Sequence, residues 1–139
     1  MKNAVIHLVS VAGDPPERTE LSTEGTVQVR DGKYLLCYDE GELLGEEKTR
    51  TTLQIVSPER VVILRTGATR SRLVVEKGKT VSCRYGTPYG ELTLEIVGEE
   101  VTAECTETGG KLHLAYRIDT AGKPLSHTDV KITFREVLE

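Results

Sequence analysis

The stretch Val27-Gln28-Val29-Arg30-Asp31-Gly32-Lys33-Tyr34-Leu35-Leu36 decides the fold class. Asp-Gly is a favoured centre for a two-residue hairpin turn, because both positions take positive φ and these residues tolerate it. Closing the chain there sets Val29 opposite Tyr34 and Val27 opposite Leu36, apolar against apolar. Working outward, a turn at Ser57-Pro58-Glu59 sets Ile55 opposite Val61 and Leu53 opposite Ile63. A turn between Thr66 and Arg70 follows, and around Gly78 Val75 faces Val81 and Leu73 faces Cys83. The Thr87-Pro88 turn is expected to set Cys83 opposite Leu92 and Val81 opposite Leu94. Gly98-Glu99 reads as a further turn, placing Ile96 against Val101 and Leu94 against Ala103. Thr108-Gly109 then places Cys105 against Leu112 and Val101 against Tyr116. A one-residue slip would turn a whole strand inside out, so the repeated apolar matches fix an inside and an outside.

The outer face of the same register is complementary: Arg84 opposite Glu91, Glu104 opposite His113, Glu100 opposite Arg117. One conflict stands out, since the Gly78 hairpin sets Arg72 directly opposite Arg84. Like charges facing each other destabilise a strand pair; Glu91 or a bound phosphate would neutralise this one. A long meander with a single buried face removes its edges by curling shut. The expected architecture is all-β: an antiparallel up-and-down meander closed into a barrel of about eight to ten strands.

Composition agrees. The 139 residues fit one β-barrel domain, 1–139, without linker, low-complexity tract or internal repeat, long enough to bury roughly two thirds of the surface of the unfolded chain. With one Phe, no Trp and five Tyr, the core must come from Val, Leu and Ile, residues suited to strands. A net charge of −4 argues against a general nucleic-acid binder. The segment Arg60–Arg84, with seven Lys or Arg and only Glu76 against them, reads as solubilising strand-face charge. Cys37, Cys83 and Cys105 are isolated, odd in number and without metal-ligand spacing, as buried thiols of a reducing, cytoplasmic compartment would be. The apolar start Ala4 to Ala12 reads as a first strand, since His7 and Ser10 interrupt it. No segment is long enough to span a membrane as a helix. The acidic stretch Gly41 to Glu47 reads as the longest loop.

The residues Tyr38-Asp39-Glu40 with Leu44-Gly45 and Thr49, then Arg65-Thr66-Gly67, are followed by Tyr85-Gly86-Thr87-Pro88-Tyr89-Gly90-Glu91 and by Gly110 to Tyr116 with Ile118-Asp119. In this order and spacing the chain resembles, over nearly its whole length, the YwiB-like family of small bacterial proteins. The resemblance implies a lipocalin-like (calycin-type) barrel of unassigned function in a bacterial intracellular setting; it carries over no catalytic residue. The Gly-x-Trp element of secreted lipocalins is absent, because the chain has no Trp.

Extending the register sideways produces the sharpest candidate site. If Tyr38 pairs with Thr51, then Thr51 faces Arg65, Arg65 faces Ser71 and Ser71 faces Tyr85. All five then lie on the inward face in one row at one end of the apolar lining. A guanidinium beside hydroxyls can hold a carboxylate or phosphate through two parallel hydrogen bonds, and an apolar chamber below it is the ordinary make-up of a small-ligand pocket. The competing structural reading makes Arg65 a plug at the rim, paired with Glu40 or another carboxylate. Tyr116 is expected nearer the other end, as a core aromatic.

Other chemistry lacks its parts. Gly78-Lys79-Thr80 has Leu73 where a phosphate-binding loop needs glycine, and it lies in a hairpin. His7, His113 and His127 are far apart, and neither His7 nor His127 has a nucleophile at readable spacing. No catalytic, metal or cofactor-binding residue is expected. The favoured function is therefore non-catalytic binding of a small anionic or amphipathic molecule in the barrel; the alternative is a filled barrel acting as a structural or protein-interaction module. The sequence does not specify a protein partner or an oligomeric state.

Overall fold

The computed structural model describes residues 2–13, 15–40, 49–67, 70–87 and 89–137; the Gly41–Glu47 loop lies outside them. Ten strands run β1 (Lys2–Ala12), β2 (Glu17–Arg30), β3 (Lys33–Glu40), β4 (Thr49–Ser57), β5 (Arg60–Thr66), β6 (Arg70–Glu76), β7 (Thr80–Thr87), β8 (Gly90–Cys105), β9 (Gly109–Thr120) and β10 (Lys123–Glu136). Each pairs antiparallel with its sequence neighbours, and β1 pairs with β10 to close the ring. The apolar start of the chain is the first strand.

The turn chemistry holds where it is strongest. Asp31 (φ 53°) and Gly32 (φ 75°) make the primed turn, with Val29 against Tyr34 and Val27 against Leu36. Ile55 faces Val61 and Leu53 faces Ile63 as expected. Between β6 and β7 the ladder forms at Arg70–Gly86 and Ser71–Tyr85 and is not continued toward the turn. The expected Leu73–Cys83 and Val75–Val81 pairs belong to the same register but are not joined, and Arg72 and Arg84 lie in this unjoined stretch. Arg84 turns instead toward Glu91, at 3.7 Å.

Three expectations are corrected beyond β7. The β7–β8 pairing is shifted by two residues, so Cys83 faces Leu94 and Val81 faces Ile96, while Thr93 rather than Glu91 lies opposite Arg84. Gly98-Glu99 is not a turn. β8 continues through it to Cys105, and the register against β9 shifts between Gly98 and Glu100, as at a bulge. An extra residue in one strand shifts the inside–outside phase just as a turn does, without reversing the chain. Ala103 therefore faces Leu112 and Val101 faces Leu114; on the outside Thr102 faces His113 and Glu100 faces Ala115. Glycine is required at the bulge because the backbone of Glu76 packs against it: a Cβ built on Gly98 would sit 2.0 Å from the Glu76 carbonyl oxygen. A second primed turn, Ala121 (φ 51°) and Gly122 (φ 78°), joins β9 to β10.

The core is the inward set of Val, Leu and Ile from all ten strands, with Ile6, Leu36, Ile96, Leu114 and Ile132 among the largest fully buried side chains. Each stabilises the fold by about 1.5–3 kcal/mol relative to exposure.

Candidate ligand site in the mouth of the barrel

The odd-numbered strands end where the even-numbered ones begin, and this end carries the expected row. Tyr38 faces Thr51, Thr51 faces Arg65, Arg65 faces Ser71 and Ser71 faces Tyr85. The five share one face because directly opposed residues always do. Tyr38, Thr51 and Ser71 are buried, while Arg65 and Tyr85 are half-buried toward the rim. Leu92, opposite Tyr85, extends the row and is 51% exposed.

A cavity of about 220 Å³ opens at this end. Tyr38 and Arg65 line it, together with Tyr116, Ser10, Thr19 and Thr128 from the opposite side of the ring; Leu53, Ile63 and Leu114 are among its apolar walls. Thr51, Ser71 and Tyr85 flank Arg65 without lining that cavity. The placement of Tyr116 corrects the sequence reading. With no reversal at Gly98-Glu99, β9 runs toward the mouth instead of away from it, and Tyr116 arrives beside Arg65. Burial pushes the Tyr116 phenol above its ordinary value, against the opposing pull of the Arg65 charge and a hydrogen bond with Thr128. Thr128 is its direct partner across β9–β10. Ser10 and Thr19 pair across β1–β2, and closure of β1 on β10 brings Thr128 beside them, so the three carry no sequence signal as a set.

The electrostatics of the row are unusual in two places. Among the described residues the Arg65 side chain makes no ion pair or hydrogen bond. The Ser71 hydroxyl oxygen is buried with no hydrogen-bond partner. Tyr38 and Thr51, by contrast, hold interactions of their own.

Outside the barrel the histidines each meet a carboxylate. Nε2 of His113 lies 3.0 Å from Asp129, and that of His127 reaches Glu99. His7 does have a hydroxyl beside it: Ser22 Oγ is 2.8 Å from Nδ1, and Glu20 is 3.0 Å from Nε2. His7 and Ser22 are direct cross-strand partners, a contact between strands that the sequence alone does not pair. The three groups lie on an exposed sheet face, where nothing excludes water from a reacting centre, so they form a polar cross-strand ladder. Among the described residues no cluster of His, Cys, Asp and Glu could hold a metal ion, and no helix is long and apolar enough to cross a membrane.

The ring and its polar-mouthed, apolar-walled interior define a closed antiparallel β-barrel with an inward arginine. Residues 6–132 match the family described as "Domain of unknown function (DUF1934)", and the chain belongs to that family. It is 27% identical over 131 residues to the uncharacterized β-barrel protein YwiB of Bacillus subtilis (strain 168), spanning 93% of this chain and 90% of that one. The crystal structure of the Bacillus subtilis ywiB protein superposes with a TM-score of 0.84 at 25% identity, covering 99% of this chain and 93% of the other.

Proposed function

We propose that this protein binds a small anionic or amphipathic molecule in the mouth of its barrel and does no chemistry on it. The observation that carries this reading is Arg65. It stands on the inward face beside a cavity, and no carboxylate among the described residues pairs with it. A rim plug works by pairing, because taking a charge out of water is costly unless an opposite charge and hydrogen bonds compensate it. The filled-barrel alternative is disfavoured by the cavity itself.

Native mass spectrometry of the freshly purified chain, set against its denatured mass, tests this reading together with Arg65→Met. The expected result is a non-covalent adduct on the parent chain and none on Arg65→Met, with the unfolding free energy of the variant within about 1 kcal/mol of the parent. A bare parent chain together with an Arg65→Met variant destabilised by about 3–5 kcal/mol, the cost of orphaning a buried partner, would establish the plug instead.

A further inference from the structure

We infer that the ligand is a small monocarboxylate with an apolar body, its carboxylate held by Arg65 in the mouth and its body lying on Leu53, Ile63 and Leu114. This rests on the binding reading above and adds charge, size and orientation to it.

Charge comes first. Among the described residues the cavity lining holds one cation, Arg65, and no acid. One guanidinium neutralises one negative charge, and its planar fork matches the two oxygens of a carboxylate. A phosphate monoester carries about −1.5 to −2 at neutral pH, so it would keep a net negative charge among Leu and Ile side chains. The buried Ser71 hydroxyl, with no partner of its own, lies directly across the ladder from Arg65. It does not line the cavity, whose own hydroxyls beside Arg65 include those of Ser10 and Thr19.

Size follows from the cavity. Its volume of about 220 Å³ equals roughly seven units of water-sized volume at about 30 Å³ each. Pockets for drug-sized ligands run to roughly 300–1,000 Å³. A branched aliphatic or single-ring acid fits; a long acyl chain does not. Orientation follows from the lining, with the polar groups toward the mouth and the apolar walls beyond them.

The test is a titration of the full ¹⁵N-labelled chain, followed by amide shifts and calorimetry, with 4-methylpentanoate, benzoate, methyl benzoate, inorganic phosphate and hexadecanoate. The two short acids are expected to bind, moving the amides of Arg65, Ser71 and Leu114. Arg65→Met should weaken them about 10- to 100-fold, as loss of charge-assisted hydrogen bonds does. Methyl benzoate and phosphate should bind at least about 10-fold more weakly. Equal binding of methyl benzoate would overturn charge recognition, and tighter binding of hexadecanoate would overturn the size assignment. Tighter binding of phosphate would overturn the carboxylate while leaving the anion-binding reading intact. If no probe moves a mouth amide, the inference fails; the native-mass adduct then decides separately whether the wider reading fails with it.

Discussion

Replacing Gly98 with alanine forces a methyl group into the backbone of Glu76. The added Cβ would lie 2.0 Å from the carbonyl oxygen, 2.6 Å from its carbon and 3.1 Å from the nitrogen, where non-bonded atoms settle at about 3.5 Å or more. Neither partner is a flexible side chain, so backbone must retreat by over an ångström. Overpacking of this kind costs about 1–3 kcal/mol. Two hydrogen bonds are tied to the same backbone: Gly78 N–H to the Gly98 carbonyl and Gly98 N–H to the Lys79 carbonyl, both 2.9 Å. Each contributes about 0.5–1.5 kcal/mol net. Against this, alanine in a strand recovers about 0.5–1 kcal/mol of unfolded-state entropy. The expected destabilisation of Gly98→Ala is therefore about 1–5.5 kcal/mol, set against the roughly 5–15 kcal/mol that holds a domain together. It would appear in urea unfolding as a lowered midpoint at unchanged slope. Gly32→Ala is the reference, because a Cβ there meets nothing within 4 Å and the penalty is that of positive φ alone, about 1–2 kcal/mol. If Gly98→Ala costs no more than Gly32→Ala, Gly98 is behaving as a turn residue and the packing of Glu76 against it is refuted.

Three further outcomes are expected. Ala121 adopts φ 51° in a primed turn whose favoured first residue is Asn, so Ala121→Asn should stabilise the chain by about 0.5–1 kcal/mol, read from the same urea curve; a lower midpoint would contradict the turn. Burial pushes the Cys105 thiol up to about 11 from 9.0. At pH 8 its thiolate fraction is then about 0.1%, so iodoacetamide should modify Cys105 more slowly than a free thiol. Its folded value lies above its unfolded one, so its contribution to stability is intact below pH 9 and is lost as the pH rises toward 11; rapid alkylation at pH 8 would refute the burial. Amides of Leu73–Val75 and Val81–Cys83 that point across the unjoined part of β6–β7 should exchange with deuterium faster than those of the continuous β8–β9 ladder. Equal protection would show that the two strands are paired throughout.

The β3–β7 half of the barrel was legible in the chain because each of its turns announces itself: Asp31-Gly32, Ser57-Pro58-Glu59 and Lys77-Gly78-Lys79 leave one residue count that matches apolar to apolar. The Arg65 row depends on the last two of these counts, on the turn between Thr66 and Arg70, and on the Tyr38–Thr51 pairing, for which the loop after β3 supplies no count; its five members sit in the expected register. Past β7 the same signal is ambiguous. A bulge and a turn both shift the phase of alternation by one, and Gly98 suits either, so the direction of β9 came out inverted and Tyr116 was assigned to the wrong end. Ala121-Gly122 carries no strong turn residue at its first position and was passed over. The Ser10, Thr19 and Thr128 side of the mouth depends on contact between the first and last strands, which no local pattern encodes. The missing half of the β6–β7 ladder had a warning in Arg72 opposite Arg84, although its extent follows from how Glu76 lies over Gly98.

Closure of β1 on β10 has a consequence during synthesis. Lys123 follows Ala12 by 111 positions, which at about 5–20 residues per second takes a ribosome roughly 6–22 s. For that interval β1 pairs with β2 on one side only, leaving a row of unpaired amides and carbonyls beside Val5, Val9 and Val11, the kind of edge on which strands of other chains add. Crowded nascent chains can therefore trade final strands, β10 of one molecule closing the ring of its neighbour. Slowing translation lengthens this exposure, so closing of the ring depends on how the protein is made as well as on how stable it is.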